Sequence, residues 1–169
     1  MPARAIAGYF IRKAGLPDLD AAFRIVEEYY AAARVVARDT KAEFQQYYFA
    51  ERAGIWIASI KQNVVGCIAL RELPEIPRSG EIKRMYVRPA HRGQGIAQSL
   101  LAALEQFASN AGYDSLYLDS ATGMDVAIRF YRRHGYEPCE RYNHNPQAAV
   151  FLMKRINRGP QRLLLTRTS

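Results

Sequence analysis

The sequence predicts a mixed α/β domain, a central sheet of antiparallel and parallel strands flanked by helices. Three observations predict it. Apolar segments at 55–60 and 64–70 are separated by the polar Lys61-Gln62-Asn63, the pattern of an antiparallel hairpin. A strand, a long amphipathic helix and a second strand follow one another between 81 and 119, an order that implies a parallel pair with a right-handed crossover. A chain of 169 residues buries about 70% of its unfolded surface, enough for one sizeable core without disulfides or metals.

After Pro17, Asp18 or Asp20 supplies a helix cap, and Leu19, Phe23, Val26, Tyr30 and Ala33 recur at alternating spacings of four and three, an apolar face that runs to near Asp39. A shorter helix is expected at 44–48. Gly54 opens the hairpin, and Pro74, Pro77 and Gly80 form a loop. Residues 81–87 alternate polar and apolar and stop at Arg88-Pro89. From Gly95, the positions Ile96, Leu100, Leu104, Phe107 and Ala111 mark the long helix, closed by Gly112. A strand at 116–119, a helix at 127–134 stopped by Gly135, and a strand at 149–153 complete the domain, read as residues 1–157. Residues 158–169 are read as a flexible basic tail after the Gly159-Pro160 junction. It carries Arg158, Arg162 and Arg167, and its Leu163-Leu164-Leu165 run leaves a docking or homodimer contact open.

A hydrophobic fraction of 49% with 24% charged residues excludes disorder. No apolar run approaches the roughly eighteen residues of a membrane span, and residues 1–15 lack a leader pattern, so a cytoplasmic protein without membrane attachment is expected. Cys67 and Cys139 sit in no metal-ligand spacing and read as reduced, buried small hydrophobes. His91, His134 and His144 are scattered, and no metal is expected. The net charge of +8 admits nucleic acid, but basic and aromatic residues are not interleaved in a recognition motif, and no nucleic-acid partner is expected.

The most informative segment is Arg88-Pro89-Ala90-His91-Arg92-Gly93-Gln94-Gly95-Ile96-Ala97, a basic, glycine-containing loop from a strand into the N-terminus of the long helix. The first N–H groups of a helix lack internal partners and sit at its positive end, so they bind anions. Gly93 and Gly95 let backbone approach a phosphate, and Arg92 adds a permanent cation with fork geometry. The loop suits a pyrophosphate. A solvated glycine-rich connection is the bland alternative, and a dinucleotide fingerprint is the sharp one, with Asp119 at the place of a ribose ligand. Gln98 at the third glycine position argues against the latter, as do the five residues, one a proline, between the strand and Gly93.

Arg92-x-x-Gly95-x-Ala97, preceded by Met85-Tyr86-Val87-Arg88-Pro89 and followed by Leu100-Leu101, resembles motif A of the GNAT N-acetyltransferase superfamily. The resemblance continues through 112–119, through Ala127-Ile128-x-Phe130-Tyr131-x-x-x-Gly135-Tyr136, and through Phe151-Leu152-Met153, covering about residues 5 to 155. It implies the GNAT fold, with splayed central parallel strands and acetyl-CoA between them as cosubstrate. Backbone groups of Met85, Tyr86 and Val87 would lie along the pantetheine arm, and Arg92, Gly93, Gln94, Gly95, Ile96 and Ala97 would hold the pyrophosphate. Met124 stands where relatives often carry asparagine, so a side-chain contact expected there is missing.

The resemblance also implies direct attack by an amine in a ternary complex. Protonated amines have pKa values of about 8 to 10.4, so a base or a desolvating pocket is needed. Glu81 matches a general-base position of the family, working through water, against the alternatives of a solvated strand-end carboxylate or an ion pair with Lys83. Tyr131 matches a tyrosine that protonates the departing thiolate, against a role in aromatic packing. Cys67 has no activating histidine near it in sequence. Arg129, Arg132 and Arg133 read as a solvated helix face. The acceptor is expected between the first two helices and the loop at 142–146, where Glu27, Glu28, Glu43 and Glu140 are candidate attractants. A non-catalytic acyl-CoA sensor is the competing class, separated from an enzyme by thiol release with an amine panel.

Overall fold

The computed structural model describes residues 4–6 and 8–157, so the tail lies outside the described residues. Eight strands form one sheet: β1 (Arg4–Ile6), β2 (Tyr9–Lys13), β3 (Gly54–Ile60), β4 (Asn63–Glu72), β5 (Ser79–Val87), β6 (Ser115–Ala121), β7 (Glu137–Pro138) and β8 (Ala148–Arg155). Their spatial order is β1-β2-β3-β4-β5-β6-β8-β7. Every pairing is antiparallel except β5 with β6, the parallel pair that the strand, helix, strand order predicts.

Helices α1 (Leu19–Ala32) and α2 (Lys41–Tyr48) cover one face, and α3 (Ile96–Asn110) and α4 (Asp125–Arg133) cover the other. Period-two alternation explains how the inner strands serve both. Ile55, Ile57, Cys67 and Ala69 meet Ala22, Ile25, Val26 and Phe44, whereas Trp56, Ala58, Ile68 and Leu70 pack with Leu100, Leu104 and Ala108. Strands buried on both faces therefore read as continuous apolar runs.

The first helix ends at Ala32, not near Asp39. Val35 N–H bonds to Tyr30 C=O and Arg34 N–H to Ala31 C=O, with Arg34 at φ 52. This is a Schellman ending with arginine in the left-handed position that glycine usually marks, so the sequence carried no stop signal there. Asp18 does not cap α1. Its carboxylate takes the Gly15 N–H and pairs with Arg12. The second helix begins at Lys41, because Thr40 and Glu43 form a reciprocal capping box. The last helix likewise starts two residues before Ala127.

Candidate functional site

The loop after β5 leaves donors pointing outward. A short 3-10 turn at Pro89–His91 carries the chain to Gly93 (φ 76) and Gly95 (φ 82), which is the N-cap of α3. These left-handed angles select glycine. Nothing lies within 4 Å of a Cβ built at Gly93, so backbone angle and not crowding makes the demand there. The N–H groups of residues 93–98 donate to no protein group among the described residues. Arg92 Nε donates to the Val87 carbonyl at 2.9 Å, and its terminal nitrogens have no hydrogen bond among the described residues. Arg88 grips Glu28 of α1 bidentately at 2.7 and 3.0 Å, and Tyr9 Oη lies 3.0 Å from Ser99 Oγ, so loop and first helical turn are both anchored. The result is a fixed, positively charged cradle.

Beside it the sheet opens. β5 and β6 pair only from Ser79↔Ser115 to Glu81↔Tyr117, after which both continue without each other. The Met85, Tyr86 and Val87 end of β5 thus borders a gap and has β4 on its other side. A bulge falls at the same place: Ala69 pairs with Lys83 and Cys67 with Tyr86, leaving Arg84 and Met85 opposite Ile68, with Arg84 at φ 58. The gap widens into a cleft of about 360 Å³, lined among others by Met85, Leu118, Asp119, Tyr131 and Asn145. The donors of the cradle and the split strands are thus brought together by β5.

Glu81 sits at the last paired position, only 1% exposed. Its Oε1 accepts from Arg71 Nε and Nη2 at 3.1 and 3.0 Å and lies 3.4 Å from Lys83 Nζ, and its Oε2 accepts from Asn143 Nδ2 at 3.2 Å. Burial alone would raise this carboxyl, but Lys83 and Arg71 outweigh it and hold it below the usual range. The Tyr142 hydroxyl is buried beside this carboxylate, and burial followed by the Glu81 charge pushes its phenol up. A second hollow, about 580 Å³, lies on the far side of Arg71 and Glu81, against Tyr47, Glu72 and Tyr142.

Tyr131 projects from α4 into the core, 5% exposed, its ring packed at 5.4 Å from Tyr136 and 5.3 Å from Phe130. Burial pushes its phenol far up, with Tyr29 and Glu105 adding to the effect, so it stays protonated across the working pH range. The Cys67 thiol is buried, pushed up by desolvation, and donates to the Arg84 carbonyl at 3.1 Å. It is no activated nucleophile. Cys139 is only partly buried, contrary to its reading as a core residue.

Four acids expected near the acceptor are elsewhere engaged or exposed: Glu28 on Arg88, Glu43 in its capping box, Glu27 and Glu140 on the surface. The carboxylates that do line the cleft are Asp39 and Asp119. Arg84 holds Asp39 at 2.8 Å, a pairing across 45 residues that no local pattern announces. Asn143 and Asn145 hold Asp119 at 2.6 and 3.3 Å. Among the described residues no cluster of His, Cys, Asp and Glu could hold a metal, and no helix is long and apolar enough to cross a membrane.

A family model described as the acetyltransferase (GNAT) family matches residues 19–136. The chain is 34% identical over 92 residues to an uncharacterized N-acetyltransferase of Schizosaccharomyces pombe, a match covering 54% of this chain and 56% of that protein. An acetyltransferase of the GNAT family from Staphylococcus aureus shares the fold with a TM-score of 0.76 at 17% identity, over 88% of this chain and 99% of that one. So does yncA of Salmonella typhimurium, solved with its cofactor acetyl-CoA, with a TM-score of 0.69 at 19% identity over 90% and 96%. The chain spans about half the length of the curated relatives it matches. The chain belongs to the GNAT acetyltransferase family.

Proposed function

We propose that the chain transfers acetyl from acetyl-CoA to an amine by direct attack within a ternary complex. The observation that carries this reading is the run of uncommitted N–H groups at 93–98 beside the point where β6 leaves β5. The residues present fit the ligand. Residues 93–97 and the free end of Arg92 would take the pyrophosphate, and the open edge at Met85, Tyr86 and Val87 would receive the pantetheine amides as an added strand would. The family membership and the acetyl-CoA of the yncA structure support the same assignment.

Acetyl-CoA, when bound, supplies a thioester whose carbonyl carbon is the electrophile. Among the residues of this chain, Tyr131 would give its hydroxyl proton to the departing sulfur; burial keeps the phenol protonated but also weakens it as an acid, so the donation would be driven by the basicity of the departing thiolate. Glu81 would accept the proton released from the amine, through water, because its enclosed carboxylate does not reach the cleft surface itself. A carboxyl held below its usual value is a weak base for an ammonium, so it works on the neutral fraction of the amine, and rate should rise with pH. Leu118 and Met85 in the cleft wall would give the thioester an apolar surface on one side.

Melting with and without ligand tests the cradle. At a hundredfold excess over Kd, acetyl-CoA should stabilise the protein by about 2.7 kcal/mol, which at roughly 2–4 °C per kcal/mol is a rise of about 5–11 °C. NAD should give none. The reverse ranking overturns the assignment.

A further inference from the structure

Charge in the cleft is divided into two poles. At one, Arg71 and Lys83 crowd a single oxygen of Glu81, at 3.0 and 3.4 Å, and leave one positive charge uncompensated. The Lys83 side chain is only 14% exposed, and its ammonium makes no hydrogen bond among the described residues. Arg71 Nη1 is likewise free, and both side chains line the cleft. Arg84, on the same wall, is matched by Asp39 but keeps a buried Nε without a partner. A largely desolvated ammonium that shares one carboxylate oxygen with a second cation is only partly compensated, so this pole is built to receive a further anion.

At the other pole stands Asp119. Both of its hydrogen bonds come from neutral amides, and both fall on Oδ2, so Oδ1 has no donor and the carboxylate no cation among the described residues. Asn143 and Asn145 fix its orientation from the 142–147 loop, and Asn143 also reaches Glu81, which ties the two poles together. Tyr131 and Met85 line the same space.

Resting on the acetyltransferase reading above, we infer that the acceptor is a small amine that also bears a carboxylate. Its amine donates to Asp119 Oδ1, and its carboxylate is received by Lys83 and Arg71. A diamine would set its second cation against Arg71, Lys83 and Arg84. A neutral amine leaves Lys83 with only its share of the Glu81 carboxylate.

Thiol release at saturating acetyl-CoA, with α- and ω-amino acids set against their own carboxamides and against diamines of equal length, reads this directly. At least one amino acid should exceed its carboxamide in kcat/KM by about tenfold or more, as one charge-assisted contact allows. Lys83→Met should bring that ratio toward one, and Lys83→Arg should preserve it. Preference for carboxamides or diamines refutes the inference, as does a Lys83→Met that lowers both members of a pair alike. Stabilisation by coenzyme A, measured on the same samples, separates two failures. A protein that coenzyme A stabilises but that accepts none of the acids refutes the acceptor class alone; one that it does not stabilise loses the transferase reading and the inference together.

Discussion

Replacing Glu81 by glutamine keeps the shape of the side chain and removes its charge. In the wild type that charge faces Arg71 and Lys83 from a position 1% exposed. Breaking a buried pair by removing one partner costs about 3–5 kcal/mol, but the Arg71 side chain is 37% exposed and water screens part of the loss. A destabilisation of about 2 kcal/mol follows, or roughly 4–8 °C in a chain of this size. The pH dependence has a definite sign. Lys83 and Arg71 overcome burial and depress the folded pKa below the ordinary 4.5, so the contribution is whole above that value and is lost as pH falls through the lower, folded value. Urea denaturation of wild type and variant at about pH 7, 5 and 3.5 should show a constant gap at the first two and a shrinking one at the third. Equal stability at neutral pH, or a gap indifferent to acid, would refute the network as described.

Three further outcomes follow from the same structure. Tyr131→Phe keeps the packing against Phe130 and Tyr136 and removes the hydroxyl, so turnover should fall about 10²-fold or more with acetyl-CoA affinity nearly intact; full turnover with lost stability would make the ring structural. Gly95→Ala forces a Cβ onto φ 82, at about 1–2 kcal/mol, and should weaken acetyl-CoA binding in calorimetry beyond what its melting loss explains. Thr40→Ala removes the α2 cap and should cost about 1 kcal/mol in urea melts, with no change in acetyl-CoA affinity.

How much of this was legible depended on whether the signal was local. The parallel pair, the hairpin and the caps at Gly112 and Gly135 follow from periodicity and left-handed glycines, and the structure has them all. The cradle was legible because its donors are consecutive in sequence. The edge strands β1 and β7, and β2 next to the first of them, carry no clear mark in the sequence, being short and bordered by weak alternation. The capping box at Thr40 and Glu43 was in plain view and would have moved the start of α2 to Lys41. The Arg34 helix ending and the Arg84 bulge were not readable, because arginine stands where glycine is the usual mark. The acceptor side was least legible. Asp39 with Arg84, and Asp119 with Asn143, are joined by tertiary packing across 45 and 24 residues, so acids on helix surfaces drew attention that belonged to the cleft.

Acetyl transfer to an amine is tested most directly by following free thiol and acetylated amine together in one reaction with acetyl-CoA. Thiol release should require the amine, should match the acetylated amine one for one, and should rise with pH as the amine loses its proton. Thiol release that ignores the amine, or tight acetyl-CoA binding with no acetylated product from any amine, would contradict the account.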